Sequence, residues 1–270
     1  MTYCIALSLA EGLVMASDTR TNAGVDHIAT FAKMTVLEAP GRAVMVLMSA
    51  GNLATTQSVL SLLRQRVADD GQPAILQVRS LYDAAVEIGQ LLREVISRDS
   101  GQHASGVDFG SSFLLGGQVS GEAPRLFNIY PQGNFIEATA ETPYFQIGES
   151  KYGKPVLDRV LHPDTPLDEA AKCALVSMDS TLKSNLSVGL PLDMVVYEAD
   201  RLASDRVICI DENNPYFKML RESWGNKLRH MFDSIEDPMW HGGATEVPLM
   251  VHAHRNQPLK KITTPQEKLI

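Results

Sequence analysis

The chain has 270 residues, 44% hydrophobic and 21% charged, a globular balance that excludes fibrous and disordered classes. Its formal net charge of −8 argues against nucleic acid as the main partner, and Cys4, Cys173 and Cys209 lack the spacing of a zinc site or a disulfide framework. No run approaches the roughly 18 apolar residues of a membrane span, and no basic residue precedes Arg20 to open a secretory signal, so a cytoplasmic protein with no membrane partner is expected.

Residues 2–9 and 13–17 read as a hairpin turned by Glu11-Gly12. Residues 31–37 and 43–49 read as two further strands, turned by Ala39-Pro40-Gly41-Arg42. A helix is predicted over 53–67, with Val59, Leu60, Leu63 and Val67 at helical spacing. A second is predicted over 80–96, with Ser80 as N-cap and Leu81, Ala85, Ile88, Leu92 and Val95 on its apolar face. The polar stretch 97–108 reads as a loop. Strands return over 109–119, 125–130 and 134–138, the last pair turned by Pro131-Gln132-Gly133.

A helix over 151–161 comes next. Thr165-Pro166-Leu167-Asp168 then supplies an N-cap, a proline at the first helical position and an acid at the third, starting a helix to about residue 184. Residues 192–199 and 206–211 read as the last strands. Residues 215–235 read as an extra helix, with Phe217, Leu220, Trp224, Leu228, Met231 and Phe232 on one stripe, and the tail after Asp237 reads as irregular. A sheet needs an apolar layer on each face that water does not cover. The order of strands, helix pair, strands, helix pair, strands therefore predicts an α+β fold over 1–212. It is a four-layer αββα sandwich of two antiparallel sheets, followed by a C-terminal helical extension over 213–270.

Thr2 is the first candidate for chemistry. With Met1 trimmed, its hydroxyl and its own α-amine, whose reference pKa is about 7.7–8.0, would supply nucleophile and base in one residue. A lysine buried beside it needs a carboxylate partner. Asp18 ends the second strand and Lys33 lies in the third, so both can approach the start of the first. Ser49-Ala50-Gly51-Asn52, between the fourth strand and the first helix, offers small residues that let a substrate carbonyl reach backbone N–H groups. Taken singly, each is ordinary: Met-Thr is a common start, Asp18 a turn residue, Lys33 a solvated side chain, Ser-Ala-Gly a turn. The set on consecutive strands is what points to chemistry.

These segments carry a resemblance. Asp18-Thr19-Arg20-Thr21-Asn22-Ala23-Gly24, Phe31-Ala32-Lys33-Met34, Met48-Ser49-Ala50-Gly51, Phe127–Gly133, Ile147-Gly148-Glu149-Ser150 and Pro155-Val156-Leu157-Asp158 are similar to motifs of the proteasome-type N-terminal nucleophile (Ntn) hydrolases, over about residues 2–212. The phrase SDTRTNAGVDHIATFAKM, the lack of a propeptide and the C-terminal extension resemble the bacterial Anbu family in particular. The resemblance implies the Ntn hydrolase sandwich and a set of roles. Thr2 would be the nucleophile, Lys33 the amine that tunes it, Asp18 the partner of Lys33, and the N–H of Ala50, with Gly51 beside it, the oxyanion donor. Thr21 and Asn22 would pair the substrate backbone as an added strand. Phe31, Thr35, Met48 and Asn52 would line the first specificity pocket, Phe31 and Met48 favouring an apolar residue before the cut.

The family's Gly-Ser-Gly support for the α-amine reads Gly148-Glu149-Ser150, so that either Ser150 or Glu149 takes that place. A second support, Asp followed by Ser, falls at Asn185-Leu186-Ser187, with Ser187 as its hydroxyl. No cofactor or metal is implied, and His241, His252 and His254 read as unrelated neighbours. The expected protein is a self-compartmentalising threonine peptidase that associates into a ring or helical array and takes peptide or protein substrates. The rival readings are a non-catalytic assembly subunit and an Ntn amidase for a specialised small amide or peptide.

Overall fold

The runs YCIALSL and GLVMASD are apolar without strict alternation, the pattern of strands covered on both faces. They form β1 (Tyr3–Leu9) and β2 (Gly12–Asp18), nearly every residue of which is buried. A computed structural model describes residues 2–22, 28–68, 71–101 and 106–238, together with their side chains except those of residues 21, 22, 28 and 29. The expected irregular tail and the histidines at 241, 252 and 254 lie outside the described residues.

The remaining elements, in order, are β3 (Arg20–Asn22), β4 (Ile28–Thr30), β5 (Met34–Ala39), β6 (Ala43–Gly51), α1 (Leu53–Gln65), a 3-10 turn (Ala74–Gln77), α2 (Leu81–Ser100), β7 (Ser111–Val119), β8 (Arg125–Ile129), β9 (Phe135–Glu137), β10 (Tyr144–Gly148), α3 (Lys154–Val160), α4 (Leu167–Ser184), β11 (Leu192–Glu198), β12 (Val207–Ile210) and α5 (Pro215–Asp233). Two five-stranded sheets, ordered β10-β1-β2-β11-β12 and β5-β6-β7-β8-β9, are antiparallel throughout, and β3 and β4 form a separate ribbon.

Three apolar layers hold the sandwich. Tyr3, Ile5, Val14 and Ala16 face α3 and α4, with Leu157, Ala174 and Met178. Met45, Leu47, Phe113 and Leu115 face α1 and α2, with Val59, Ile88 and Leu92. Cys4, Ala6, Met15, Val46, Met48 and Leu114 meet between the sheets. The period-2 alternation of each strand serves two layers at once, which gives the four-layer αββα order the sequence predicts.

Several local expectations change. The third strand begins at Met34 rather than residue 31. Ribbon β3–β4 and strand β10 are elements that the sequence reading leaves unassigned. Ser80 caps α2 as expected, accepting from the Asp83 N–H at 3.1 Å. Thr165 does not cap α4. Its hydroxyl accepts from the His162 N–H, and the Leu167 N–H is taken instead by Glu11 Oε2 at 3.2 Å, from the β1–β2 turn. Among the described residues, those up to Trp224 form one compact unit and those from Gly225 belong to a second. Within the first, Phe217 and Leu220 of α5 are buried among the α4-side core. Within the second, Leu228, Met231 and Phe232 are exposed.

Candidate active site

Asp18 is the last residue of β2 and completely buried, and a carboxylate there must find partners for its oxygens. Its Oδ1 accepts the Tyr3 backbone N–H at 2.9 Å and the Lys33 ammonium at 2.7 Å. Its Oδ2 accepts the Gly189 N–H at 3.4 Å. Lys33 is 8% exposed and also donates to the Arg20 carbonyl at 2.5 Å. One carboxylate oxygen thus ties the peptide that joins Thr2 to Tyr3 to the amine of Lys33. Burial pushes the Asp18 carboxyl above its ordinary range, opposed by the charge and hydrogen bond of Lys33 and by the two backbone N–H groups.

Thr2 is fixed from its other side by β10. In the β1–β10 ladder Tyr3 stands opposite Gly148, and the Glu149 N–H donates to the Thr2 carbonyl at 2.6 Å. Gly148 has φ +80°, and a Cβ there would stand 1.9 Å from the Thr2 carbonyl oxygen, so only glycine fits. The Glu149 carboxylate accepts from Asn185 Nδ2 at 3.1 Å, and the Asn185 side-chain oxygen accepts the Ser187 N–H at 2.9 Å. It is therefore the backbone of Glu149, not of Ser150, that is bonded to Thr2. Ser187 reaches this network through its backbone.

The small-residue segment closes the opposite wall. The Ser49 N–H donates to the Lys33 carbonyl at 3.0 Å, toward the β5 side, and the Asn52 N–H donates to the Gly110 carbonyl at 3.0 Å, toward β7. Successive N–H groups of a strand point to opposite edges. Ala50, paired with Ser112, therefore aims its N–H at β7, and Gly51 aims its own to the open side beyond the end of the Lys33–Ser49 pair. This reverses the order expected from the sequence, in which Ala50 supplied the outward N–H. Gly51 has φ +120°, and a Cβ there would meet the Gly110 oxygen at 2.4 Å. Cys4 Sγ donates to the Ser49 carbonyl at 3.7 Å, and burial pushes the Cys4 thiol well up.

The expected pocket residues divide. Phe31 is 38% exposed, its N–H on the Thr19 carbonyl at 2.9 Å. Thr35 is half-buried on the β5 face it shares with Leu37, toward α1 and α2. Met48 lies on the other face, completely buried between the sheets with Met34 and Met15, so it does not share a surface with Thr35. Asn52 is the N-cap of α1: its side chain accepts the Thr55 N–H at 3.2 Å and donates to the Asp108 carbonyl at 3.0 Å. Thr21 and Asn22 occupy β3, paired with Ala29 and Ile28, and their side chains lie outside the described set. Among the described residues no cluster of three or more His, Cys, Asp or Glu could hold a metal ion, and no helix is long and apolar enough to cross a membrane.

The sequence did not single out Arg20 and Gly189. Their contributions are main-chain groups, which no residue type announces.

This arrangement of sheets and helices has known counterparts. A family model described as proteasome subunit matches residues 2–196. A proteasome subunit beta of Haloquadratum walsbyi is 26% identical over 206 residues, 74% of each chain. The solved structure of Anbu (ancestral beta-subunit) from Yersinia bercovieri is 56% identical, with a TM-score of 0.82, covering 87% of this chain and 98% of that one. The helical assembly of the Anbu complex from Pseudomonas aeruginosa is 52% identical, with a TM-score of 0.84 over 87% of this chain and 98% of that one. With the Asp18–Lys33 pair held against the start of β1 in the sandwich these relatives share, the chain belongs to the proteasome subunit family, in its Anbu branch.

Proposed function

We propose that this chain is an N-terminal threonine hydrolase, a self-compartmentalising peptidase whose nucleophile is Thr2 after removal of Met1. One observation carries the reading: a fully buried carboxylate oxygen, Asp18 Oδ1, joins the main chain beside Thr2 to the Lys33 ammonium. An ion pair withdrawn from water is a poor stabilising device by itself, because desolvation offsets much of its attraction. Its position next to a threonine at the head of a strand gives it a use. The fixed positive charge of Lys33 favours the ionised Thr2 hydroxyl.

In the mechanism, the free-base α-amine of Thr2 takes the hydroxyl proton as Oγ1 attacks the substrate carbonyl carbon. The negative charge that develops on the carbonyl oxygen is met by the Gly51 N–H. The tetrahedral intermediate collapses to an ester on Thr2, and the amine leaves with the proton held by the α-ammonium. A water molecule, deprotonated by the same amine, hydrolyses the ester and restores Thr2. The substrate lies extended between β3, through Thr21 and Asn22, and the end of β6, adding a strand. Phe31 and Thr35 contact its side chain before the cut. Asn52 acts on the site through the α1 cap it forms.

The proposed hydrolase domain is 1–212, with 213–270 an extension. Self-association is proposed from the helical assembly of the Pseudomonas aeruginosa relative, and a cytoplasmic peptide or protein substrate completes the reading. The test is intact mass of protein from its host, followed by labelling with a threonine-directed covalent probe. A mature chain starting at Thr2 that is labelled, and a Thr2→Ala variant that is not, are expected. Retained Met1 or an acetylated amine would overturn the reading in favour of an inert assembly subunit.

A further inference from the structure

We infer that Glu149 is a positioning residue whose carboxylate pairs with the α-ammonium of Thr2 and sets the pH at which that amine becomes a base. The inference rests on the reading of Thr2 as an N-terminal nucleophile. Glu149 runs directly alongside Thr2, its N–H on the Thr2 carbonyl at 2.6 Å. At the preceding position, a Cβ on Gly148 would stand 3.3 Å from Thr2 Cβ, so the two main chains are in contact. The carboxylate is held in place by neutral donors, Asn185 Nδ2 at 3.1 Å and the Lys151 backbone N–H at 3.4 Å. Asn185, buried at the C-cap of α4, is itself fixed because its oxygen takes the Ser187 N–H. These contacts orient the negative charge without cancelling it.

Among the described residues, the other titratable groups near Thr2 have partners of their own or stay neutral. Asp18 and Lys33 close on each other. The Arg20 guanidinium donates to the Leu186 carbonyl at 3.0 Å. Tyr3 and Cys4, both completely buried, stay neutral near pH 7 because burial pushes their ionisation upward. Glu149 adds a negative charge beside an amine that must lose a proton to act. An anion within about 4–6 Å favours the protonated form of an amine. The pair holds the amine in line with the hydroxyl and moves its activation to higher pH than the same amine would show beside a neutral residue 149.

The test uses the chain beginning at Thr2, with Glu149→Gln, Glu149→Asp and Asn185→Asp. The α-amine pKa is read from the pH dependence of its acetylation by acetic anhydride, followed on the N-terminal peptide by mass spectrometry. The rate of Thr2 acylation by a peptide β-lactone is measured across the same pH range. The wild-type amine should titrate at higher pH than the amine of folded Glu149→Gln. Glu149→Gln should lower it by about one unit, Glu149→Asp should retain most of the elevation, and Asn185→Asp should raise it. The rising limb of acylation should move by the same interval. An amine that titrates identically in wild type and in a folded Glu149→Gln overturns the inference, as does an equal fall in Glu149→Asp. Amine titration needs no catalysis, so a wild type that titrates as expected but is never acylated would support the pairing and defeat the hydrolase reading alone.

Discussion

Gly148→Ala separates the cost of a backbone conformation from the cost of moving Thr2. Gly148 and Gly41 have nearly the same backbone, φ +80° and +74°, but a Cβ at Gly41 meets nothing within 4 Å, whereas at Gly148 it would lie 1.9 Å from the Thr2 carbonyl oxygen and 2.7 Å from its carbon. Both substitutions bear the left-handed penalty of roughly 1–2 kcal/mol. Gly148→Ala bears in addition an overpacking strain of about 1–3 kcal/mol, because the opposing atoms are backbone held by the Glu149 N–H. The expected loss is thus about 2–5 kcal/mol against about 1–2 for Gly41→Ala, read from urea unfolding. The strain can relax only by pushing the Thr2 carbonyl outward by about an ångström, a misplacement that costs on the order of 100-fold in rate. Labelling by a threonine-directed probe should therefore fall about 100-fold in folded Gly148→Ala and hold near wild type in Gly41→Ala. Equal labelling of the two variants would refute the claim that β10 sets the position of the nucleophile.

Lys33→Ala leaves Asp18 as a buried unpaired charge and should cost about 3–5 kcal/mol while abolishing probe labelling; Lys33→Met with Asp18→Asn should recover much of the stability and none of the labelling, and a neutral Lys33→Ala in chemical unfolding would contradict a buried pair. Tyr3, whose hydroxyl lies 2.7 Å from Ser177 Oγ and 2.6 Å from Gln146 Nε2, has its pKa raised by burial from 10.0 to about 12. Its native value exceeds its unfolded one, so the stability it contributes is intact below pH 10 and disappears as the pH climbs to about 12, a loss of about 2–3 kcal/mol relative to Tyr3→Phe. Parallel alkaline stability curves for wild type and Tyr3→Phe would show that the hydroxyl is not sealed.

The sandwich was legible because two periods dominate the chain. Helical spacing in 81–95 and continuous apolar runs in β1 and β2 leave few other packings. What escaped has short range or distant causes. Strands β3 and β4 have three residues each, too few to show a pattern, and Tyr144-Phe145-Gln146-Ile147-Gly148 becomes a strand only because β1 lies beside it. The cap of α4 comes from Glu11, far back in the chain, which Thr165 at the right spacing concealed. Within the site, Asp18 and Lys33 could be paired from the need of a buried amine for a carboxylate. Whether Ala50 or Gly51 turns its N–H outward depends on the register of β6 against β5 and β7, and the burial of Met48 on which face of β6 looks at the other sheet. A single strand's sequence states its period, not the phase of that period against its neighbours.

The parts of the proposed site are divided between the two sheets. Thr2 and Asp18 travel with β1 and β2, Lys33 and Gly51 with β5 and β6, and between them lies the layer of Cys4, Met15, Val46, Met48 and Leu114. The site is therefore a measure of the gap between two slabs. Thickening or thinning that apolar spacer, by one methylene in a buried methionine, should change the distance from the proposed nucleophile to the proposed oxyanion donor and the reach of Lys33 to Asp18 together. Close-packed interiors transmit such changes rather than absorb them. Loss of interlayer registry, with every strand and helix still formed, would silence the site while far-ultraviolet circular dichroism reported an intact protein.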